Sequence, residues 1–521
     1  METHKHQGRR IIAKNTIFNL LGQILPMLVG VVTIPYIIKG LGTTGYGILS
    51  IASMLLGYFS IFDLGLSRAT VKFVAENLSP ERVHKVPELV WTSLSLLVAL
   101  GCIGGIIAAI FVPVSVTHFF KMPASFVGEA RTALFILCAS MPIMLGSDAL
   151  RGVLEAAQRF DLVNCVRVPT SILFYLLAVL VIPLRAHVAQ IVTLMVCIRL
   201  ISTFFYLFFC LRVFPGLKTH FRFSRAALRA LATFGGWIMV SNVTGPLFGY
   251  LERFMIASVL SVSLLSFYSA PYDLVSKIVI FPASIVPSLF PYFSYHGRRK
   301  GSEVLEVTSR AIKYLLLVLT PLVAIFVFFA RDILQLWLGP QFADTSSTVL
   351  QITALAFFLN AFAMVPYTSV QALGRPDLKA ILDLIVLPVY AVSSWWLMRQ
   401  HGIIGGINGA ALAKLLVTVV DVLLLYLFAS RLRAFSVREC ISGPLSRAIV
   451  LSGSLFAVVF AIESLHTKLL MTIPMVTFCF ACYVLIFWFV AVDEDDRITI
   501  AGLRQRALSI LRGRQTTPVI Q

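Results

Sequence analysis

Residues 40–50 read GLGTTGYGILS, and they lie between two long apolar stretches, residues 15–38 and 46–69. The segment opens with the G-x-G-x-x-G spacing that binds a dinucleotide phosphate elsewhere, but that motif needs a strand before it and a helix after it. Here each neighbouring stretch has about the 20 apolar residues that a helix needs to cross a membrane. The glycines are therefore predicted to form a tight turn between two spanning helices, with Tyr46 at the headgroup boundary.

Composition extends this interpretation to the whole chain. Of 521 residues, 58% are hydrophobic and 13% are charged, with a mean hydropathy of +0.90, whereas soluble domains carry about 25% charged residues. The apolar stretches run continuously, while the strands of a membrane barrel would alternate. The basic head METHKHQGRR precedes a long apolar-leaning stretch without a small-residue cleavage site, which favours a first spanning helix over a secretory signal. We expect an all-α polytopic membrane protein.

The hydropathy pattern predicts about fourteen spanning helices. Their ranges are 15–38, 46–69, 88–113, 130–150, 162–184, 188–211, 231–259, 266–292, 312–330, 347–370, 380–398, 407–429, 447–464 and 469–491. With the N-terminus inside, thirty Lys and Arg residues fall in interior segments and seven in exterior segments. This positive-inside asymmetry predicts a multi-pass membrane protein with both termini cytoplasmic. Since anionic lipids attract such loops, the formal net charge of +19 requires no nucleic-acid partner.

The chain is predicted to contain two pseudo-symmetric six-helix lobes and two C-terminal helices. The longest basic interior linker before the seventh span separates the lobes, and Pro26 with Tyr46 is echoed by Pro246 with Tyr268. Transporters are often built from such repeats. The predicted divisions are an N-terminal lobe 1–212, a cytoplasmic basic linker 213–230, a C-terminal lobe 231–430, two helices in 431–492, and a cytoplasmic amphipathic tail 493–521.

The motifs that would favour an enzyme are missing or isolated. The sequence has no G-x-x-x-x-G-K-[ST] loop for ATP, and its longest exterior loops, near 114–129 and 331–346, have about sixteen residues each. The Cys479 and Cys482 pair lies in an apolar helix with no second pair to complete a metal site, and Asp493-Glu494-Asp495 is best explained as the start of a helix. We therefore expect transport, with no cofactor and no metal.

Charged residues inside spans are costly and are functional candidates. The embedded cations are Arg68, Arg167, Arg199, Arg253, Lys277 and Lys414, and the embedded carboxylates are Asp63, Asp148, Glu252, Asp273, Asp383 and Asp421. Arg199 lies near the middle of its span with no carboxylate on its own helix, so it must face another helix or water. We predict that Arg199, Arg253 and Lys277 bind substrate. Structural pairing is the alternative, since Asp273 and Lys277 are four residues apart and can pair along one helical face.

The run GLGTTGYGILSIASMLLGYFSIFDLGLSRATVKFVAE, residues 40–76, resembles the N-terminal hairpin of polysaccharide flippases, the O-antigen and teichoic-acid exporters of the multidrug/oligosaccharidyl-lipid/polysaccharide (MOP) superfamily. Five further segments agree with this resemblance: FGGW from Phe234, ERFMIASVLS from Glu252, LGPQF from Leu338, QALGRPDLKA, and HGIIGGINGA from His401. The resemblance spans the chain and implies fourteen helices with both ends inside. It also implies a cationic central cavity, whereas here six embedded carboxylates equal the six embedded cations.

The function that this resemblance implies is a flippase that moves an undecaprenyl-diphosphate-linked oligosaccharide from the inner to the outer leaflet by alternating access. Its expected partners are that substrate, membrane lipids, and glycan polymerase with other assembly proteins. One alternative is a drug or cation antiporter of the same superfamily, with Asp63 or Asp273 coupling transport to an ion. Others are a membrane glycosyltransferase or polymerase, which the small exterior loops disfavour, and a scaffold for an assembly complex.

Overall fold

The computed structural model of the chain describes residues 2–79, 81–184, 187–218, 223–296, 301–400, 402, 405–431, 444–465, 469–490 and 492, and within these ranges it contains sixteen α-helices and no β-strand. The helices are α1 Glu2–Phe59, α2 Leu66–Glu76, α3 Val86–Val114, α4 Ala124–Ala156, α5 Phe160–Val181, α6 Val188–Val213, α7 Arg225–Met255, α8 Val262–Val275, α9 Ile280–His296, α10 Gly301–Phe328, α11 Ala330–Trp337, α12 Pro340–Ala372, α13 Pro376–Met398, α14 Gly406–Arg431, α15 Pro444–Ser464 and α16 Leu469–Val490. The all-α prediction is confirmed.

Eleven helical segments in the described ranges are long and apolar enough to cross a membrane, and 474–490 is a shorter apolar segment. The first of the eleven, Gln23–Asp63, has 41 residues, or about 62 Å at the rise of an α-helix. That is roughly twice the thickness of the hydrocarbon core. Gly42, with φ 71° and ψ 173°, interrupts this helix where the sequence predicts a turn. The count of fourteen spans stays a prediction.

The chain divides into two compact units. The first contains Met1–Leu274, Gln335–Val349 and Ala380–Lys414, and the second contains Val275–Leu334, Leu350–Lys379 and Leu415–Gln521. These boundaries follow packing and do not test the predicted division into lobes, which stays a prediction. The amphipathic tail 493–521 and the connection 432–443 lie outside the described residues, as does part of the linker 213–230.

Helix α4 is held in the first unit by close packing against α3. A side chain at Gly101 would meet the backbone of Pro142, and one at Gly105 would meet the carbonyl oxygen of Cys138. Without side chains at these positions the two helices approach closely, as membrane helices often do at small residues. This contact holds the part of α4 around Cys138 and Pro142 against α3.

The predicted span 266–292 is interrupted in the structure. Helix α8 ends at Val275, and a 3-10 turn, Ser276–Val279, connects it to α9. Lys277 lies in that turn.

Candidate functional site

Arg199 contacts a carboxylate from another helix, as the sequence requires. Its Nη2 donates a hydrogen bond of 3.4 Å to Oδ1 of Asp148 on α4, and Nη2 of Arg151 lies 3.4 Å from the same oxygen. The side chains of Arg199, Arg151 and Asp148 are 40%, 37% and 28% exposed. Two arginines from different helices therefore share one carboxylate oxygen at a partly exposed site.

Arg253 on α7 is the second predicted binding residue, and it is buried. Its Nη2 donates a hydrogen bond of 2.5 Å to Oδ1 of Asp273 on α8, and its guanidinium lies 4.5 Å from the ring centroid of Tyr272. Its side chain is 6% exposed. Arg253 thus has both a carboxylate and an aromatic face as partners in this conformation, and Asp273, a predicted ion-coupling residue, is the carboxylate.

Glu252 on α7 forms a second buried network, which was not predicted from the sequence. The hydroxyl of Tyr390 donates a hydrogen bond of 2.6 Å to Glu252 Oε2, and Lys414 Nζ lies 3.5 Å from Oε1. Lys414 also donates a hydrogen bond of 2.9 Å to the carbonyl oxygen of Phe248, and Glu252 is fully buried. Neighbouring positions on a helix point about 100° apart, so Glu252 and Arg253 reach different partners.

Two further predicted residues lie in simpler surroundings. Asp63 is 9% exposed, and its Oδ1 accepts hydrogen bonds from the backbone N–H of Ser67 at 3.0 Å and from the Ser67 hydroxyl at 2.5 Å. The carboxylate of Asp63 thus accepts a backbone hydrogen bond from the first turn of α2, as short polar side chains commonly do at helix starts. Lys277 is half-buried and belongs to the second unit.

Most of the embedded carboxylates have a cationic partner. In the first unit Asp148, Glu252 and Asp273 contact Arg199, Lys414 and Arg253, respectively. In the second unit Lys379 Nζ lies 2.7 Å from Oδ1 of Asp421. Isolated charges inside a membrane are expensive, and pairing them lowers that cost. Three of the six embedded cations, Arg199, Arg253 and Lys414, thus pair with three of the six embedded carboxylates.

The glycine-rich turn at residues 40–47 contacts the start of α8. Thr43 Oγ1 lies 2.9 Å from Ser263 Oγ, and the Ser266 hydroxyl donates a hydrogen bond to the carbonyl oxygen of Thr43. A side chain at Gly47 would overlap the carbonyl oxygen of Val262. Glycine at this position therefore permits a backbone approach that alanine would prevent.

The loop between α3 and α4 contacts the same region of the first unit. The backbone N–H of Lys121 donates to the carbonyl oxygen of Ala257 at 3.0 Å, and the N–H of Val262 donates to the carbonyl oxygen of Lys121 at 2.9 Å. Lys121 Nζ donates a further hydrogen bond of 2.6 Å to the carbonyl oxygen of Val259. The loop between α3 and α4 thus holds the irregular connection between α7 and α8, and the glycine-rich turn holds the start of α8.

The turns after α4 and α12 share one structure. Their sequences, AAQRFDL at 156–162 and ALGRPDL at 372–378, have Arg and Asp at equivalent positions. Arg159 donates bonds of 3.0 and 2.9 Å to Asp161, and Arg375 donates bonds of 3.0 to 3.1 Å to Asp377. These hydrogen bonds raise the pKa of both arginines. The preceding residue has a positive φ in each turn, 58° at Gln158 and 80° at Gly374.

Within the described ranges, no three His, Cys, Asp or Glu side chains come together as a metal site requires. Long apolar helices that carry ion pairs in their interior define a polytopic membrane protein. The chain belongs to the polysaccharide biosynthesis protein family, whose model matches residues 12–296.

The relatives agree with that family. A protein of Shigella flexneri described as "Putative O-antigen transporter" is 27% identical over 431 residues, covering 81% of this chain and 98% of its own length. The lipid II flippase MurJ in an inward closed conformation matches with a TM-score of 0.67 at 14% identity, covering 91% of this chain and 99% of MurJ. An inward-facing multidrug resistance MATE transporter of the MOP superfamily matches with a TM-score of 0.66 at 15% identity, covering 80% and 95%. The resemblance to polysaccharide exporters is confirmed by the family and the O-antigen transporter relative, and the fold is shared with MurJ and with a MATE transporter of the MOP superfamily.

Proposed function

We propose that this protein is a flippase that moves an undecaprenyl-diphosphate-linked oligosaccharide from the inner to the outer leaflet of the bacterial plasma membrane. The product would serve surface polysaccharide synthesis. Sugars and phosphates do not cross hydrocarbon unaided, because each polar group stripped of water costs several kcal/mol. A carrier must therefore offer polar partners within the membrane while the lipid tail stays among other lipids.

Arg199 is the observation that carries this proposal. It lies near the middle of a 26-residue apolar helix, yet its side chain is 40% exposed and has one long hydrogen bond to Asp148. An exposed guanidinium at that depth is costly unless it meets water or an anionic ligand. The substrate diphosphate is such a ligand. The membership in the polysaccharide biosynthesis family and the fold shared with a lipid II flippase support the same choice.

Transport is proposed to proceed by alternating access between the lobes 1–212 and 231–430. The repeated turns at 156–162 and 372–378 support an internal duplication of this kind, since transporters are often built from repeats. The bonds of Thr43 to Ser263 and Ser266 connect residues of the two proposed lobes at the outer end of the first span. These bonds would have to break when the outer side opens.

The proposed orientation has both termini in the cytoplasm, because basic residues are concentrated in the segments assigned to that side. An interior-negative membrane potential then favours outward movement of negative charge by about 2.3 kcal/mol per charge per 100 mV, so ATP is not required. The proposed partners are the lipid-linked oligosaccharide, membrane lipids, and the polymerase and other proteins that assemble the glycan.

The experiment is complementation of a strain that lacks its own polysaccharide flippase. The wild-type chain is expected to restore surface polysaccharide and to clear the accumulated lipid-linked oligosaccharide. Arg199→Ala is expected to abolish export while the protein reaches the membrane at the wild-type level. Wild-type export by a well-inserted Arg199→Ala protein would exclude Arg199 as a substrate contact, and failure of the wild-type chain to complement would count against the proposed function itself.

Drug or cation antiport is the second candidate, and the buried Glu252 favours it. A carboxylate with 0% exposure and Tyr390 as hydrogen-bond donor is a site where a proton or cation could bind. The discriminating measurement is the minimum inhibitory concentration of cationic drugs in cells that express the chain. An increase that depends on Glu252, without restored polysaccharide, would favour the antiporter.

A further inference from the structure

Asp148, Arg151 and Arg199 form a cluster in which the two arginines offer more hydrogen-bond donors than the carboxylate accepts. Asp148 Oδ1 lies 3.4 Å from Nη2 of each arginine, whereas charge-assisted hydrogen bonds are usually 2.7–2.9 Å long. Arg151 Nε lies 3.7 Å from Glu155 Oε1, beyond hydrogen-bond distance. The Nε atoms of Arg151 and Arg199 are both buried without a hydrogen-bond partner among the described residues.

Unsatisfied guanidinium donors are expensive inside a membrane, and here they occur beside an accessible surface. A guanidinium offers five donors in a planar fork that matches a phosphate in a bidentate way. One carboxylate oxygen cannot satisfy two such forks. A diphosphate, whose two phosphoryl groups carry several acceptor oxygens, can occupy both.

We propose that Arg151 and Arg199 bind the diphosphate of the lipid-linked substrate and that Asp148 is an internal anion which the diphosphate displaces. This inference rests on the proposed function and names the residues of its phosphate site. In the empty site Asp148 balances part of the positive charge. When substrate binds, Asp148 competes with the diphosphate and thereby weakens binding enough to permit release.

The depth of the cluster suits capture from the inner leaflet in the proposed orientation. Asp148 precedes the end of α4 at Ala156 by eight residues, or about 12 Å along the helix. Arg199 precedes the end of α6 at Val213 by fourteen residues, or about 21 Å. Because the side chains of Asp148 and Arg199 are in contact, the cluster lies at one depth, and α4 and α6 continue from it for different lengths towards the cytoplasm. The phosphates would enter the site from that side.

The test measures binding of farnesyl diphosphate, and of farnesol as the probe without phosphate, to the purified full chain in nanodiscs. Arg199→Gln and Arg151→Gln are each expected to weaken farnesyl diphosphate binding about tenfold or more, as for loss of a charge-assisted hydrogen bond. Asp148→Asn is expected to strengthen it about fivefold or more, because the competing charge is gone while the shape is kept. Arg131→Gln is the matched control, since Arg131 lies on the same helix, twenty residues from Arg151.

The increase with Asp148→Asn separates this proposal from a structural role. A salt bridge that only holds α4 to α6 would predict weaker binding or a less stable protein in that variant. Unchanged or weaker farnesyl diphosphate binding by folded Asp148→Asn would overturn the proposal, as would wild-type binding by both arginine variants. Complementation by the wild-type chain is measured in parallel, so that the phosphate site can fail while the flippase function stands.

Discussion

Replacing Lys414 by methionine is expected to destabilise the first unit more than replacing both Lys414 and its partner Glu252. In Lys414→Met the carboxylate of Glu252 stays fully buried and keeps the hydrogen bond from Tyr390. Breaking a buried pair costs about 3–5 kcal/mol. Since one strong hydrogen bond to Glu252 remains, the expected loss is near the lower limit, about 3 kcal/mol.

The double variant Glu252→Gln with Lys414→Met removes both charges and keeps a polar group that Tyr390 can contact. Its expected cost is about 1 kcal/mol, because exchanging a whole buried pair for neutral groups is often nearly neutral. The two substitutions should therefore be non-additive by about 2 kcal/mol or more in a double-mutant cycle. This difference is more reliable than either single value, since effects on the unfolded state partly cancel.

The assay is reversible unfolding of the purified protein in mixed micelles with increasing SDS, followed by tryptophan fluorescence. Lys72→Met is the control, because Lys72 is 43% exposed and pairs with Glu76 on its own helix. Its expected effect is below about 0.5 kcal/mol. If Lys414→Met costs no more than the double variant, Lys414 does not compensate the charge of Glu252, and the assigned network is wrong.

Two other predictions concern packing and conformational change. Gly105→Leu is expected to reduce the amount of folded protein in the membrane several-fold, because a side chain there meets the carbonyl oxygen of Cys138. Gly453→Leu is the control and should leave that amount unchanged, because Gly453 has open space around it. Equal amounts of the two variants would contradict the close packing of α3 and α4. Replacing Thr43 and Ser263 by cysteine in a background without the native cysteines should form a disulfide, since their hydroxyl oxygens are 2.9 Å apart. The oxidised pair should block export and the reduced pair should restore it, whereas export by the fully oxidised protein would show that this contact need not open.

The sequence predicts the helices well because a membrane-spanning segment is recognisable from its own apolar composition. A run of about 20 apolar residues needs no knowledge of its neighbours to be assigned to the membrane, and the break at Gly42 falls in the predicted turn. The turn at Ser276–Val279, which divides the predicted span 266–292, was missed, because apolar residues continue on both sides of it. Hydropathy reports burial in lipid and does not report helical geometry.

The site was predictable only in part, because partners come from distant helices. The position of Arg199 on a helix without carboxylates predicts a partner elsewhere, but the choice of Asp148 depends on how α4 and α6 pack. The separation of Glu252 and Arg253 follows from helix geometry alone. Tyr390 and Lys414, which contact Glu252, are 138 and 162 residues away along the chain. No local pattern joins positions that far apart.

The most direct test of the central claim is leaflet transfer by the purified protein. Proteoliposomes would contain a fluorescent undecaprenyl-diphosphate-linked oligosaccharide, and an impermeant reagent that modifies sugars would report the fraction exposed at the outer surface over time. We expect the wild-type chain to transfer the lipid-linked oligosaccharide faster than empty liposomes do, and we expect Arg199→Ala not to. Equal transfer by empty, wild-type and Arg199→Ala liposomes would contradict it.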